Sequence, residues 1–323
     1  MIFTHPAHLR TALTLALAGI AALPAAQASD AIFTHTYLAE TLPEGAKEVE
    51  QWVTYREKTS QGLYRLWQTR TEFEYGLTRR WSVALYANTY SVTAESNNSN
   101  ASRNNYTVSG DGDEVSGGGP VTFGPRVPFN GQLPLPYSRY SKSDFESLSV
   151  ESIYQFMSPL TDPIGLSGYV EYSFGPKTNE LEFKLLAQKN LMDDRLILAG
   201  NVALEFESEK WSGIVTEKET KLILSGGASY QVAPGWRLGL ELRNERNYEG
   251  GHSLSSSNKD YSAWFAGPTV HFAAQRFWVT MGYQQQMPWA RAYSAAAKDE
   301  LVDHRIYKGA EKNTLRVLVG TAF

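Results

Sequence analysis

Between Gln68 and Glu74 every second residue is polar or charged: Gln68, Arg70, Glu72 and Glu74. Residues two apart share one face of a β-strand, so this spacing sets a base and two acids in a row on one side. Glu48, Glu50 and Arg56 make a second such row, and Glu241 with Arg243 a third. Glu151, Glu171, Glu182, Lys184, Glu205, Lys221, Arg237 and Arg316 occupy equivalent positions of other alternating segments, and Trp52 and Trp278 add rings to the same faces. In the core of a soluble fold such rows would carry a large desolvation penalty unless fully paired. On the inner wall of a barrel they would meet water or an opposite charge across the lumen. Two chemistries fit that wall: a structural ion-pair network, or a path that selects a small solute.

Other candidate chemistry is sparse. A barrel lipid hydrolase would need Ser, His and an amide converging on the lipid-facing wall. His271 instead has inward parity near a short turn, His252 and His304 fall in long links, and His35 precedes the first strand, so the chain does not read as an enzyme. Asp111, Asp113 and Glu114 lie beside Gly117, Gly118 and Gly119, but their spacing is not that of a calcium-binding loop, and they read as solvated loop charge. The Asn- and Ser-rich stretch from Asn97 to Asn105 reads as polar loop. With no cysteine, the chain offers neither disulfides nor thiolate ligands. No metal or cofactor is implied, and an acidic balance of 34 Asp and Glu against 30 Lys and Arg argues against a nucleic-acid partner.

The elements that position these rows are strands. Period-two segments run over Ala46–Glu57, Leu63–Tyr75, Trp81–Val92, Phe145–Phe156, Ile164–Phe174, Glu180–Leu191, Leu196–Glu207, Thr216–Gln231, Trp236–Asn247, Tyr261–Phe272, Phe277–Gln286 and Asn313–Phe323. Assigning the apolar face of each strand independently places Tyr75, Trp81, Phe156, Tyr230, Trp236, Phe272, Phe277 and Phe323 beside the compact turns, as a membrane-interface girdle would require. Tyr55, Trp67, Tyr172, Phe174, Phe183, Phe206, Trp264 and Tyr283 form a second belt toward the other strand ends. Thr69, Thr71 and Ser152 break the apolar pattern of that face. Links after even-numbered strands are compact. Those after strands three, seven, nine and eleven, with the largest at 93–144, are longer and polar.

The reading is therefore all-β: a transmembrane antiparallel up-and-down β-barrel of about twelve strands, with short periplasmic turns and longer external loops. Twelve strands lie between the roughly eight that leave a filled interior and the 16–18 that leave an aqueous channel. Residues 1–28 have the basic start, apolar stretch and Ala26-Gln27-Ala28 site of a signal peptide cleaved on export. Its removal takes away Arg10 and no acid, leaving 29 bases against 34 acids. Residues 29–44 form either a periplasmic tail or a short plug, and 45–323 the barrel.

Residues Leu315 to Phe323 alternate and stop on phenylalanine, which resembles the closing strand of bacterial outer-membrane barrels. The turns Tyr75-Gly76-Leu77-Thr78-Arg79-Arg80-Trp81 and Ser158-Pro159-Leu160-Thr161-Asp162-Pro163 are similar to those of a largely uncharacterised proteobacterial family of outer-membrane barrels regarded as transporters. Some relatives of that type are linked with aromatic-compound degradation. The resemblance implies a Gram-negative outer-membrane location, contact with lipid and lipopolysaccharide, and delivery by the barrel insertion machinery through the last strand. It implies a porin-like passive channel for a small aromatic or organic solute, with a closed structural or surface-interaction barrel as the alternative and a lipid hydrolase behind both.

Overall fold

The computed structural model describes residues 31–58, 63–95, 139–211, 215–251 and 253–323. The predicted signal peptide, the Asn97–Asn105 stretch, the Asp111–Glu114 cluster and His252 lie outside them. Strands β1 (Lys47–Lys58), β2 (Leu63–Thr78), β3 (Trp81–Glu95), β4 (Arg139–Met157), β5 (Gly165–Phe174) and β6 (Thr178–Leu191) follow one another as antiparallel neighbours. They continue through β7 (Leu196–Trp211), β8 (Val215–Ala233), β9 (Trp236–Glu249), β10 (Lys259–Ala273) and β11 (Trp278–Gln286). After three two-residue strands, β12 (Arg291–Ala292), β13 (Leu301–Val302) and β14 (Ile306–Tyr307), and one short helix, α1 (Ala295–Asp299), the chain enters β15 (Glu311–Ala322). β15 pairs with both β11 and β1, so twelve long strands close into a barrel. The seam is fixed by Lys47 and Phe323, whose backbones exchange hydrogen bonds of 3.2 and 2.8 Å.

Burial is inverted relative to a water-soluble protein. Leu240 is 66% and Leu85 59% exposed, whereas Glu205 and Arg316 are 0% exposed. A soluble monomer rarely exposes apolar patches beyond a few hundred Å². An outer wall of leucine, valine and aromatic side chains running round the barrel is a lipid face. The girdle residues follow: Trp81, Phe156, Tyr230, Trp236 and Phe277 are exposed and Tyr75, Phe272 and Phe323 half-buried, all on the outer side. The polar interruptions of that face satisfy one another sideways. Thr69 and Thr89 share a hydroxyl hydrogen bond of 2.6 Å, the Thr71 hydroxyl donates to Gln51, and the Trp81 indole donates to Ser152 at 2.8 Å.

Several boundaries move outward from the sequence reading. β4 begins at Arg139 and not Phe145, and β15 at Glu311 and not Asn313. Around Trp211 there is no long loop: Glu209 faces Glu217, Lys210 faces Thr216 and Trp211 faces Val215, leaving a link of residues 212–214. A ladder is held by backbone hydrogen bonds, so it continues beyond the apolar band wherever polar residues keep the extended conformation.

Candidate functional site

The inner wall is a network of buried ion pairs. Arg70 of β2 reaches Glu171 of β5 at 2.9 Å, Arg56 of β1 reaches Glu311 of β15 at 3.1 Å, and Arg243 of β9 reaches the same Glu311 at 3.3 Å. Lys221 lies 2.9 Å from both Glu205 and Glu207, and Lys184 2.9 Å from Glu182. These pairs hold because each charge has an opposite partner in a site closed to bulk water, where an isolated charge would be far costlier.

The lumen also contains residues 31–43. From Gly45, whose amide donates to the Gly76 carbonyl at 2.8 Å, the chain runs backward into the barrel. Ala39 donates to Gln188 and its carbonyl accepts from Gln155 and Ser167, while Tyr37 exchanges hydrogen bonds with Asn201 at 2.7 and 3.0 Å. At the apex Glu241 accepts from the Thr34 amide at 3.0 Å, the Thr34 hydroxyl at 2.7 Å and the His35 amide at 2.8 Å. Arg316 donates to the Thr34 carbonyl at 2.7 Å. The segment then turns back, and Ala31 accepts from Thr280 near the β10–β11 turn and packs with Trp52, Trp278 and Leu318. Residues 31–43 thus form a re-entrant segment that enters from the turn side, reaches its apex at Thr34 and bends back toward the β10–β11 turn at Ala31.

Two glycines on the inner wall make room for this loop. A Cβ on Gly227 would stand 2.5 Å from the Phe33 ring, and one on Gly282 would collide with the Thr34 side chain. Ile32, Phe33, Ala39 and Leu42 are buried to within 4%. His35 is buried beside Arg316 and Arg243. Burial first, and then those guanidinium groups, hold its imidazole well below the usual histidine range against the opposing pull of Glu241.

The opposite end is also narrowed. Tyr307 stacks on Tyr261 at 4.2 Å between ring centroids, and Ala290, Ala297 and Ala310 join Ala263 and Phe265 in one buried cluster. Gln286 donates to the carbonyls of Tyr307 and Glu311, which ties this inward fold of the last long link to the wall. Between the re-entrant loop and the β1–β4 wall remains a cavity of about 70 Å³. Glu40, Glu50, Glu72, Glu74 and Glu151 border it, together with Tyr37, Trp52 and Tyr86.

Of the sequence-derived lumen candidates, Glu50, Trp52, Arg56, Arg70, Glu72, Glu74, Glu151, Glu171, Glu182, Lys184, Glu205, Glu241, Arg243, Trp278 and Arg316 are buried on the inner face. Arg237 keeps the inward parity but sits at the rim, half-buried, where it donates to the carbonyls of Arg195 and Asp194. It braces a turn in which Met192, Asp193 and Asp194 all have positive φ, at 57°, 54° and 61°. Sequence reasoning missed the role of Thr34 and His35, because a segment before the first strand has no periodicity that announces a place inside a barrel. Glu311 escapes it because the apolar alternation of the last strand starts only at Asn313, two residues inside the ladder. Parity would have found Tyr86 and Tyr169, and the inward Gly227 and Gly282 were a usable sign of something passing close to the wall.

Among solved structures the chain is similar to the COG4313 outer membrane channel from Pseudomonas putida F1, with 10% identity and a TM-score of 0.54 over 92% of this chain and 100% of that one. Looser likenesses are to the NanC porin, at 8% identity and TM-score 0.46 over 84% and 98% of the two chains, and to the translocator domain of the autotransporter NalP from Neisseria meningitidis, at 11% and 0.45 over 98% and 95%. At such identities the first likeness speaks to the fold alone, which is that of an outer-membrane β-barrel. No curated protein matches the sequence. A family model described as a family of unknown function (DUF6662) matches residues 25–323.

Proposed function

We propose that this chain, which belongs to the DUF6662 family of unknown function, is an outer-membrane channel for a small solute, closed by its own re-entrant loop. One observation carries the reading: the element filling the lumen is a segment outside the strand ladder whose apex is held by polar contacts to two wall residues, Glu241 and Arg316. Such an element can withdraw without breaking a strand pairing.

The rest of the reading follows from the fold class. Residues 1–28 direct export and are removed, β15 is presented to the insertion machinery, and the lipid face meets phospholipid and lipopolysaccharide. An aromatic or organic solute remains the expectation drawn from the family resemblance. The deciding experiment is conductance in planar bilayers with folded full-length protein and with a variant lacking residues 31–43. The full-length protein should open rarely and the deletion persistently. A folded deletion variant that never conducts would overturn the channel and leave the closed structural barrel.

A further inference from the structure

The acidic side of the lumen is arranged against its own stability. Glu48 faces Glu74 and Glu50 faces Glu72 directly across the β1–β2 ladder, and like charges directly opposite each other destabilise a sheet. Four carboxylates of this wall have donors: the Trp278 indole reaches Glu48 and the Trp52 indole Glu50, both at 2.6 Å, the Tyr86 phenol reaches Glu151, and the Ser82 hydroxyl and Leu42 amide reach Glu74. Glu72 has none. It is 5% exposed, it borders the cavity, and no hydrogen bond or ion pair reaches it from the described residues. Arg70 on the same strand face attracts Glu72 through space but makes its ion pair with Glu171, and no Lys, Arg or His lines the cavity.

Elsewhere in this lumen the protein supplies the missing partner itself, with a guanidinium group at Glu171 and Glu311 and with an ammonium group at two further places. Lys221 sits between Glu205 and Glu207. Lys184 pairs with Glu182 and stands 4.0 and 4.1 Å from the Tyr37 and Tyr169 rings, so that carboxylate and aromatic faces hold one Nζ together. The cavity repeats these ingredients, Glu72, Glu50 and Glu74 with Trp52, Tyr37 and Tyr86, but contains no ammonium. Among the described residues, carboxylate oxygens close enough for three to share one metal ion occur at Glu180, Glu205 and Glu207 and not on this wall. A cation that spreads its charge over several N–H donors and an apolar body suits the wider spacing. About 70 Å³ is several times the roughly 10–15 Å³ that admits one water, so a compact ion of a few heavy atoms fits.

We propose that the cavity between the re-entrant loop and the β1–β4 wall binds a small organic ammonium ion, with Glu72 as its principal counter-charge. The proposal deepens the channel reading by naming a solute class, but binding is measured without conduction, so either can fail alone. Isothermal titration of methylammonium chloride into the folded mature protein, in detergent at low salt and near neutral pH, should give saturable binding. Glu72→Gln, which keeps the side-chain volume, should weaken it about tenfold or more, as loss of a charged hydrogen-bond partner does. Should that variant fail to show the heat-modifiable migration of a folded barrel, Glu74→Gln carries the same comparison with a smaller loss expected. Absence of saturable binding by the wild-type protein, equal affinity in the folded variants, or tighter binding of calcium chloride than of methylammonium would each overturn the proposal.

Discussion

The carboxylate of Glu241 holds both the amide and the hydroxyl of Thr34, a residue 207 positions earlier in the chain. It also takes the neighbouring His35 amide, so one side chain satisfies three donors at the loop apex. Hydrogen bonds to a charged group contribute about 1.5–3 kcal/mol each. Glu241→Ala should therefore raise the open probability in planar bilayers by on the order of a hundredfold, while the barrel keeps its heat-modifiable migration. Unchanged gating in a folded variant would show that the apex contacts do not hold the loop in place.

Gly227 offers a test from the steric side. Gly227→Val puts a branched side chain where the Phe33 ring lies 2.5 Å from the position of a Cβ. The expected outcome is a loop displaced from the lumen, read as increased conductance and as new protease cleavage within residues 31–43. Cleavage identical to wild type would mean that the wall yields instead.

Acid should loosen the same apex. The imidazole of His35 is held below its ordinary range by burial and by Arg316 and Arg243, with Glu241 opposing. A histidine whose value is lowered in the closed state favours that state while neutral, and the advantage fades as pH falls below the free value of about 6.5. Lowering the pH from neutral toward about 5 should raise the open probability, and His35→Gln should flatten that response. An unaltered pH profile in His35→Gln would assign it to the lumen carboxylates.

Arg70 and Glu171 test whether the wall charges are structural. Arg70→Met strands Glu171 in the interior, at a cost of about 3–5 kcal/mol for a broken buried pair. The temperature of the gel-shift transition should drop, and Arg70→Met combined with Glu171→Met should recover most of it. A single variant as stable as wild type would mean that water reaches Glu171.

Most of the barrel was legible because a strand with lipid on one side and water or ions on the other must alternate. Glu72 beside Phe73, and Arg243 beside Leu242, carry that signal individually. The closing pairing of β15 with β1 followed once twelve strands were counted. What stayed hidden depended on contacts distant in sequence. Nothing local to Thr34 announces Glu241, and nothing local to Glu72 announces that Arg70 belongs to Glu171. The external ends were misplaced because polar ladders such as Glu209 facing Glu217 extend strands beyond the region where apolar alternation marks them.

The seam between Lys47 and Phe323 stands immediately beyond the point where the re-entrant loop joins β1. The loop is thus hinged outside the closed hydrogen-bond circuit of the wall and can come free while every rung of that circuit stays intact. Opening free energies within one protein can span from near zero to the full global value. A molecule built this way separates the two kinds of contact: the wall is held by a closed ladder of backbone hydrogen bonds, and the lumen segment by side-chain contacts that lie outside that ladder.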